Sequence, residues 1–155
     1  MQFPVEVEAR LTDTEMARVG DVMTRNPVTM DITGTIQDAA DLMFAAEVRH
    51  IPVVEHGTLV GMISDRDLRS YILPRPERIF RADEERARLA VSVSAVIPSD
   101  VMTVRPDTLV AELLDILLEE KIGAVPVLAP DTGDLISTVS HIDVLRAVRP
   151  FFHRV

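Results

Sequence analysis

The chain has 155 residues, 47% of them apolar, a net charge of −9 and no cysteine. That length suits one domain with a full core, or two small repeats sharing one, and the apolar fraction is that of a chain that folds. Disulfides, thiolate metal sites and cysteine nucleophiles are excluded, the acidic balance argues against a nucleic-acid-binding face, and no apolar run approaches the ~18 residues of a membrane span.

The opening Met1-Gln2-Phe3-Pro4-Val5-Glu6 lacks the basic end and apolar stretch of a secretory signal, so a cytoplasmic location is expected. Residues 1–18 read as a charged leader, in which Thr12–Met16 can start a short helix. Val28-Thr29-Met30 reads as a short strand. Thr35 is placed to cap a helix running to about Glu47, and Asp38 in its first turn suits the positive helix end. Ile51-Pro52-Val53-Val54 reads as a strand. Pro52 cannot donate to a ladder, which places it at the strand start or on an edge. A tight turn at Gly57 leads to the paired strand Leu59–Ile63. A second helix is expected from about Asp65 to Leu73, stopping before Pro74.

Residues 74–92 differ in composition. Arginines 75, 78, 81, 86 and 88 alternate with acidic residues at helical spacing, the pattern of a solvated helical linker. Residues 93–149 then repeat 19–73. At a fixed offset of 74 residues, Val19, Val22, Thr29, Asp41, Pro52 and Val53 fall on Val93, Val96, Thr103, Asp115, Pro126 and Val127. The apolar phase is the stronger signal. Ile36, Ala39, Ala40, Met43 and Phe44 fall on Val110, Leu113, Leu114, Leu117 and Leu118, both sets following one helix face. After a slip of two residues in a turn, Leu59–Ser64 matches Leu135–Ser140. Asp21-Val22-Met23-Thr24 and Asp100-Val101-Met102-Thr103 look alike, but aligning them throws the helices out of phase. The fold class is therefore α/β: two tandem strand–helix–strand–strand–helix units related by a pseudo-twofold, with the two helix faces forming the core. In the tail, 150–155, the adjacent aromatics Phe151-Phe152 are expected to dock on the body or on a partner chain.

The single lysine, Lys121, follows Glu120, so there is no P-loop. His50, His56, His141 and His153 lack metal-ligand spacing, and no nucleophile elbow surrounds any serine. The most informative stretch is Gly61–Asp67, echoed by Ser137–Asp143. Each places Ser, then Asp three residues on, where a strand gives way to a helix. Two readings stand. Ser64 with Asp67, and Ser140 with Asp143, match a capping box. The same arrangement suits a ligand: the helix N-terminus favours phosphate, the Asp can hold a ribose diol, and Arg66 can bind phosphate.

In order and spacing these segments resemble the CBS domain pair, or Bateman module, over about Val19–Leu145. The matching residues are Val22-Met23-Thr24, Val28-Thr29-Met30, the Thr35–Glu47 helix, Arg49–Val54 and Gly61–Leu68, with Gly123–Val127 and Ser140–Val144 in the second copy. The resemblance implies a regulatory module and not an enzyme, without catalytic cofactor or metal. It implies an adenosine-containing ligand (AMP, ADP or ATP) bound in the cleft between the repeats; some members take S-adenosylmethionine or NADH, and some act as ligand-free interaction modules. Ribose is then expected at Asp67 and Asp143 and phosphate near Ser64, Arg66, Ser140 and His141. Adenine is expected against Val48, Arg49, His50, Ile51 and Pro52, with Val28, in the first site. In the second it is expected against Ile122, Gly123, Ala124, Val125 and Pro126, with Met102. The resemblance also implies a homodimer paired through helix faces and a separate protein partner. Ser137 in place of Gly61, and Ile142 in place of Arg66, make the second site the weaker phosphate binder. Gly61 itself is expected to let a ligand or another backbone come close.

Overall fold

The computed structural model describes residues 17–72, 82–98 and 100–152. The expected leader helix, linker residues 73–81, the end of the second helix at Leu73 and His153 lie outside the described residues. In chain order the elements are α1 (Val19–Val22), β1 (Thr24–Arg25), β2 (Met30–Asp31), α2 (Ile36–Ala46), β3 (His50–Glu55), β4 (Thr58–Ser64), α3 (Asp65–Ile72) and α4 (Ala82–Leu89). A 3₁₀ turn at Val93–Ala95 follows, then α5 (Val110–Glu119), β5 (Ala124–Leu128), β6 (Leu135–Ser140) and α6 (His141–Phe152).

These elements form two compact units, one from residues 27–101 and one from residues 1–26 with 102–155. The units divide the chain differently from the sequence repeats, because the opening segment of each repeat belongs to the unit built by the other. In the 27–101 unit, the Val93 N–H donates to the Gly34 carbonyl at 2.9 Å and the Ile36 N–H to the Val91 carbonyl at 2.9 Å. In the other unit, the Val19 N–H donates to the Thr108 carbonyl at 2.9 Å and the Val110 N–H to the Ala17 carbonyl at 2.8 Å. The two helix starts are thus tied down in the same way.

Each unit lays its helices on a three-stranded sheet, ordered β2-β3-β4 in one and β1-β6-β5 in the other. The β3–β4 connection is a two-residue turn with positive φ at both His56 and Gly57, which suits the twist of a tight hairpin. β2 runs parallel to β3 as Met30↔Val53 and Asp31↔Val54. In the other unit the equivalent strand is only a bridge, Val104↔Val127. Pro52 is not at a strand start: it is the third residue of the central strand β3, opposite Met62, at a point where β2 does not reach. A missing N–H is tolerated there because only one neighbour strand is present.

The cores match position for position. One is built from Met30, Ile36, Ala39, Met43, Ile51, Val53, Ile63, Leu68 and Val93. The other is built from Val104, Val110, Leu113, Leu117, Val125, Val127, Val139, Val144 and Val19, their aligned counterparts in the same order. This is the frame that sets Val22-Met23-Thr24 against Val96-Ile97-Pro98.

One expectation about the core fails. Phe44 is 88% exposed, Leu118 73% and Leu114 38%, so these three belong to the outer flank of their helices. Each helix meets its sheet along a narrow stripe, Ile36/Ala39/Met43 or Val110/Leu113/Leu117; beside it Ala40, Leu42 and Ile116 still pack against the core, whereas Phe44, Leu114 and Leu118 do not.

Local capping explains where the helices begin and end. The Thr35 hydroxyl accepts from the Asp38 N–H at 3.1 Å, and the Asp38 carboxylate accepts from the Thr35 N–H at 2.8 Å. The C-cap Glu47 takes a left-handed conformation and stops α2. Leu109 cannot cap α5, and the bond from Val110 to Ala17 supplies part of what a cap would. α4 has no fully buried residue and carries an Asp83–Arg86 pair at 3.7 Å, while its last residue Leu89 packs against the core and Arg88 Nη1 donates to the Tyr71 carbonyl at 2.6 Å. Helix α6 continues through Pro150 to Phe152. Phe151 lines an apolar cavity of about 120 Å³ with Ala17, Val22, Val110 and Val144, whereas Phe152 stays 72% exposed.

Candidate functional site

The two Ser–Asp pairs sit at the same structural joint. β4 ends at Ser64 and α3 begins at Asp65; β6 ends at Ser140 and α6 begins at His141. The Asp67 Oδ2 accepts from the Ser64 N–H at 2.9 Å and from its hydroxyl at 2.6 Å, and the Ser64 Oγ accepts from the Asp67 N–H at 3.2 Å. Asp143 Oδ2 takes the Ser140 N–H at 2.8 Å and hydroxyl at 2.7 Å, with the Asp143 N–H returned to Ser140 Oγ at 3.2 Å. Both are complete reciprocal caps.

Strand pairing brings the residues before each proline to these caps. His50 pairs with Ser64 and Ala124 with Ser140. The Asp65 N–H donates to the Arg49 carbonyl at 2.9 Å, and the His141 N–H to the Gly123 carbonyl at 3.1 Å. Ile51, Pro52, Val125 and Pro126 come along in register, but their side chains are fully buried, so only their backbone can face a ligand. Arg49, Val48 and Ile122 are more open. Val28 and Met102 have no bond to the Ser–Asp pairs among the described residues.

The surroundings of the two joints differ. The Asp65 carboxylate binds Arg49 Nη1 at 3.0 Å and Arg69 Nη2 at 2.6 Å, so it holds those two guanidinium groups beside the first joint. At the second, His141 Nδ1 lies 2.9 Å from the Gly123 carbonyl. Asp143 has two further partners: the Thr24 hydroxyl donates to its Oδ1 at 3.1 Å, and Arg146 Nη1 lies 3.5 Å from the same oxygen. Among the described residues, the recorded bonds of the Asp67 carboxylate all use Oδ2.

The reason for Gly61 also becomes visible. A Cβ there would lie 2.7 Å from Ile97 Cδ1, so the bare Cα makes room for a packed side chain of its own unit. Its counterpart Ser137 is fully buried and donates to the Thr24 carbonyl, pinning β1 to β6. Thr24, Asp65, Ser137 and Arg146 were not among the sequence candidates. Thr24 lies 119 residues from Asp143, and nothing local marks the contact. Among the described residues no group of three or more His, Asp or Glu is placed to hold a metal ion. No helix among them is long and apolar enough to cross a membrane.

Comparison with known proteins agrees with this arrangement. The CBS domain model matches residues 19–74 and 93–150. The CBS domain-containing protein YhcV of Bacillus subtilis is 29% identical over 125 residues, spanning 81% of either chain. The crystal structure of a putative acetoin utilization protein (AcuB) from Vibrio cholerae superposes with a TM-score of 0.70 at 28% identity, covering 88% of this chain and 93% of that one. CBSX2, crystallised in complex with AMP, gives a TM-score of 0.70 at 27% identity, covering 88% of this chain and 99% of that one. Homoserine O-acetyltransferases and inosine-5'-monophosphate dehydrogenases also match, but this chain spans only 10% to 26% of their length. With two matched copies, a position-for-position core and a common fold, the chain belongs to the CBS domain family.

Proposed function

We propose that this chain is a regulatory module, not an enzyme, and that it binds an adenine nucleotide at the joint built by Ser64, Arg66 and Asp67. Asp67 carries the reading. One carboxylate oxygen is fixed in the cap, which orients the other, outside the cap and at the start of a helix. A carboxylate held this way suits the paired hydroxyls of a ribose, and the helix start suits phosphate. The AMP bound by CBSX2, a 27% identical relative, supports an adenosine ligand here. The test is a melting screen against AMP, ADP, ATP, NADH and S-adenosylmethionine. A ligand at a hundred times its dissociation constant stabilises by about 2.7 kcal/mol. A shift with S-adenosylmethionine or NADH alone would replace the nucleotide, and no shift with any compound would remove the ligand.

A second reading has its own observation. Both caps are complete without a ligand, while Phe44 and Leu118 are 88% and 73% exposed on equivalent helix flanks. Such faces suit pairing with a second copy, so the same chain is proposed to be a homodimer that acts on a separate protein partner.

A further inference from the structure

The Asp143 carboxylate is fully engaged without any ligand. A carboxylate offers about four acceptor positions. Oδ2 takes the Ser140 N–H and hydroxyl, and Oδ1 takes the Thr24 hydroxyl at 3.1 Å and Arg146 at 3.5 Å. Its side chain is 10% exposed. The aligned positions around Asp67 supply no such donors. Pro98 stands where Thr24 would be, without a hydroxyl, and Ser70 stands in place of Arg146, donating its hydroxyl to the Asp67 carbonyl at 2.9 Å. Among the described residues, the equivalent edge of Asp67 therefore meets a diol without a donor to displace.

We propose that Thr24 is a selectivity residue: its hydroxyl occupies the diol-binding edge of Asp143 and restricts adenosine binding to the Asp67 joint. This rests on the adenosine reading above and adds which of the two equivalent joints is used and why. The two partners of Oδ1 are unequal. Arg146 is 72% exposed and its ion pair is long, so it swings away at little cost. Thr24 is held in place by its backbone, because β1 pairs with β6 at Thr24↔Thr138 and Arg25↔Ser137 and the buried Ser137 hydroxyl donates to the Thr24 carbonyl. A ribose that claimed Oδ1 would have to displace a hydroxyl that the sheet keeps in position.

Thr24→Val tests this, because it removes the hydroxyl and preserves the shape and the backbone pairing. Titration calorimetry of the full chain with AMP is expected to give one AMP per chain for wild type and two for Thr24→Val. Asp67→Ala is expected to weaken AMP binding at least a hundredfold. Adding Thr24→Val to it restores one AMP per chain, at the Asp143 joint. Arg146→Gln serves as a second variant; with Thr24 in place it is expected to leave the stoichiometry at one. Two equal AMP sites in wild type, or one AMP per chain in Thr24→Val, would overturn the role of Thr24 and leave the adenosine reading standing. No AMP binding by wild type or any variant would overturn both.

Discussion

Ile97 fills the space over Gly61: a Cβ at position 61 would meet Ile97 Cδ1 at 2.7 Å and Ile97 Cβ at 3.1 Å. Both atoms lie close, so rotating the side chain about its outer bond does not clear the clash. Gly61→Ala is expected to destabilise the chain by about 1–3 kcal/mol, the range of an overpacked core. Urea unfolding checks this as a lower midpoint at unchanged slope. Unchanged stability would mean that Ile97 does not pack there.

Adjacent leucines on α5 should behave oppositely. Leu113 is 0% exposed and Leu114 is 38% exposed. Leu113→Ala is expected to cost about 2–5 kcal/mol, and Leu113→Asp to unfold the chain. Leu114→Ala is expected to change stability by about 0.5 kcal/mol at most. Thermal melts of the two alanine variants side by side would reveal any error in the helix phase.

The uncovered flanks predict the assembly. Phe44→Glu or Leu118→Glu should leave each chain folded, since neither belongs to a core. Light scattering at micromolar concentration should show a dimer for wild type and a monomer for the variants. A monomeric wild type would contradict the proposed pairing.

Acid stability is expected to depend on two hydrogen-bonded carboxylates. Hydrogen bonds from Thr35 hold the Asp38 pKa below its ordinary 3.8, and those from Thr33 do the same for Asp31. A lowered folded-state pKa means a contribution present above the unfolded value and lost as pH falls through the folded one. Asp38→Asn should therefore reduce stability at neutral pH. It should also flatten the decline of melting temperature as the pH falls below about 4, relative to wild type.

The sequence already held the repeat, since each residue of one core cluster has its aligned counterpart in the other. It also held the caps, because Ser–x–x–Asp and Thr–x–x–Asp are local patterns with local geometry. The width of the buried stripe was not legible. Phe44 and Leu118 obey the same helical period as the true core, and only the neighbouring sheet decides which flank is covered. Nor was the exchange of opening segments legible: the bond from Val93 to Gly34 and that from Val19 to Thr108 are long-range partnerships without a local signature. Thr24 carries no local sign of its role, and its contact with Asp143 depends on that exchange.

The most direct measurement is the melting temperature of wild type and Asp67→Ala, each with and without AMP. Asp67→Ala also loses a cap, which lowers its own melting temperature through about 1 kcal/mol, so the quantity compared is the shift that AMP produces in each protein. AMP is expected to raise the melting temperature of wild type and to leave that of Asp67→Ala unchanged. An equal AMP shift in both proteins, or no shift in wild type, would contradict a nucleotide site at Asp67.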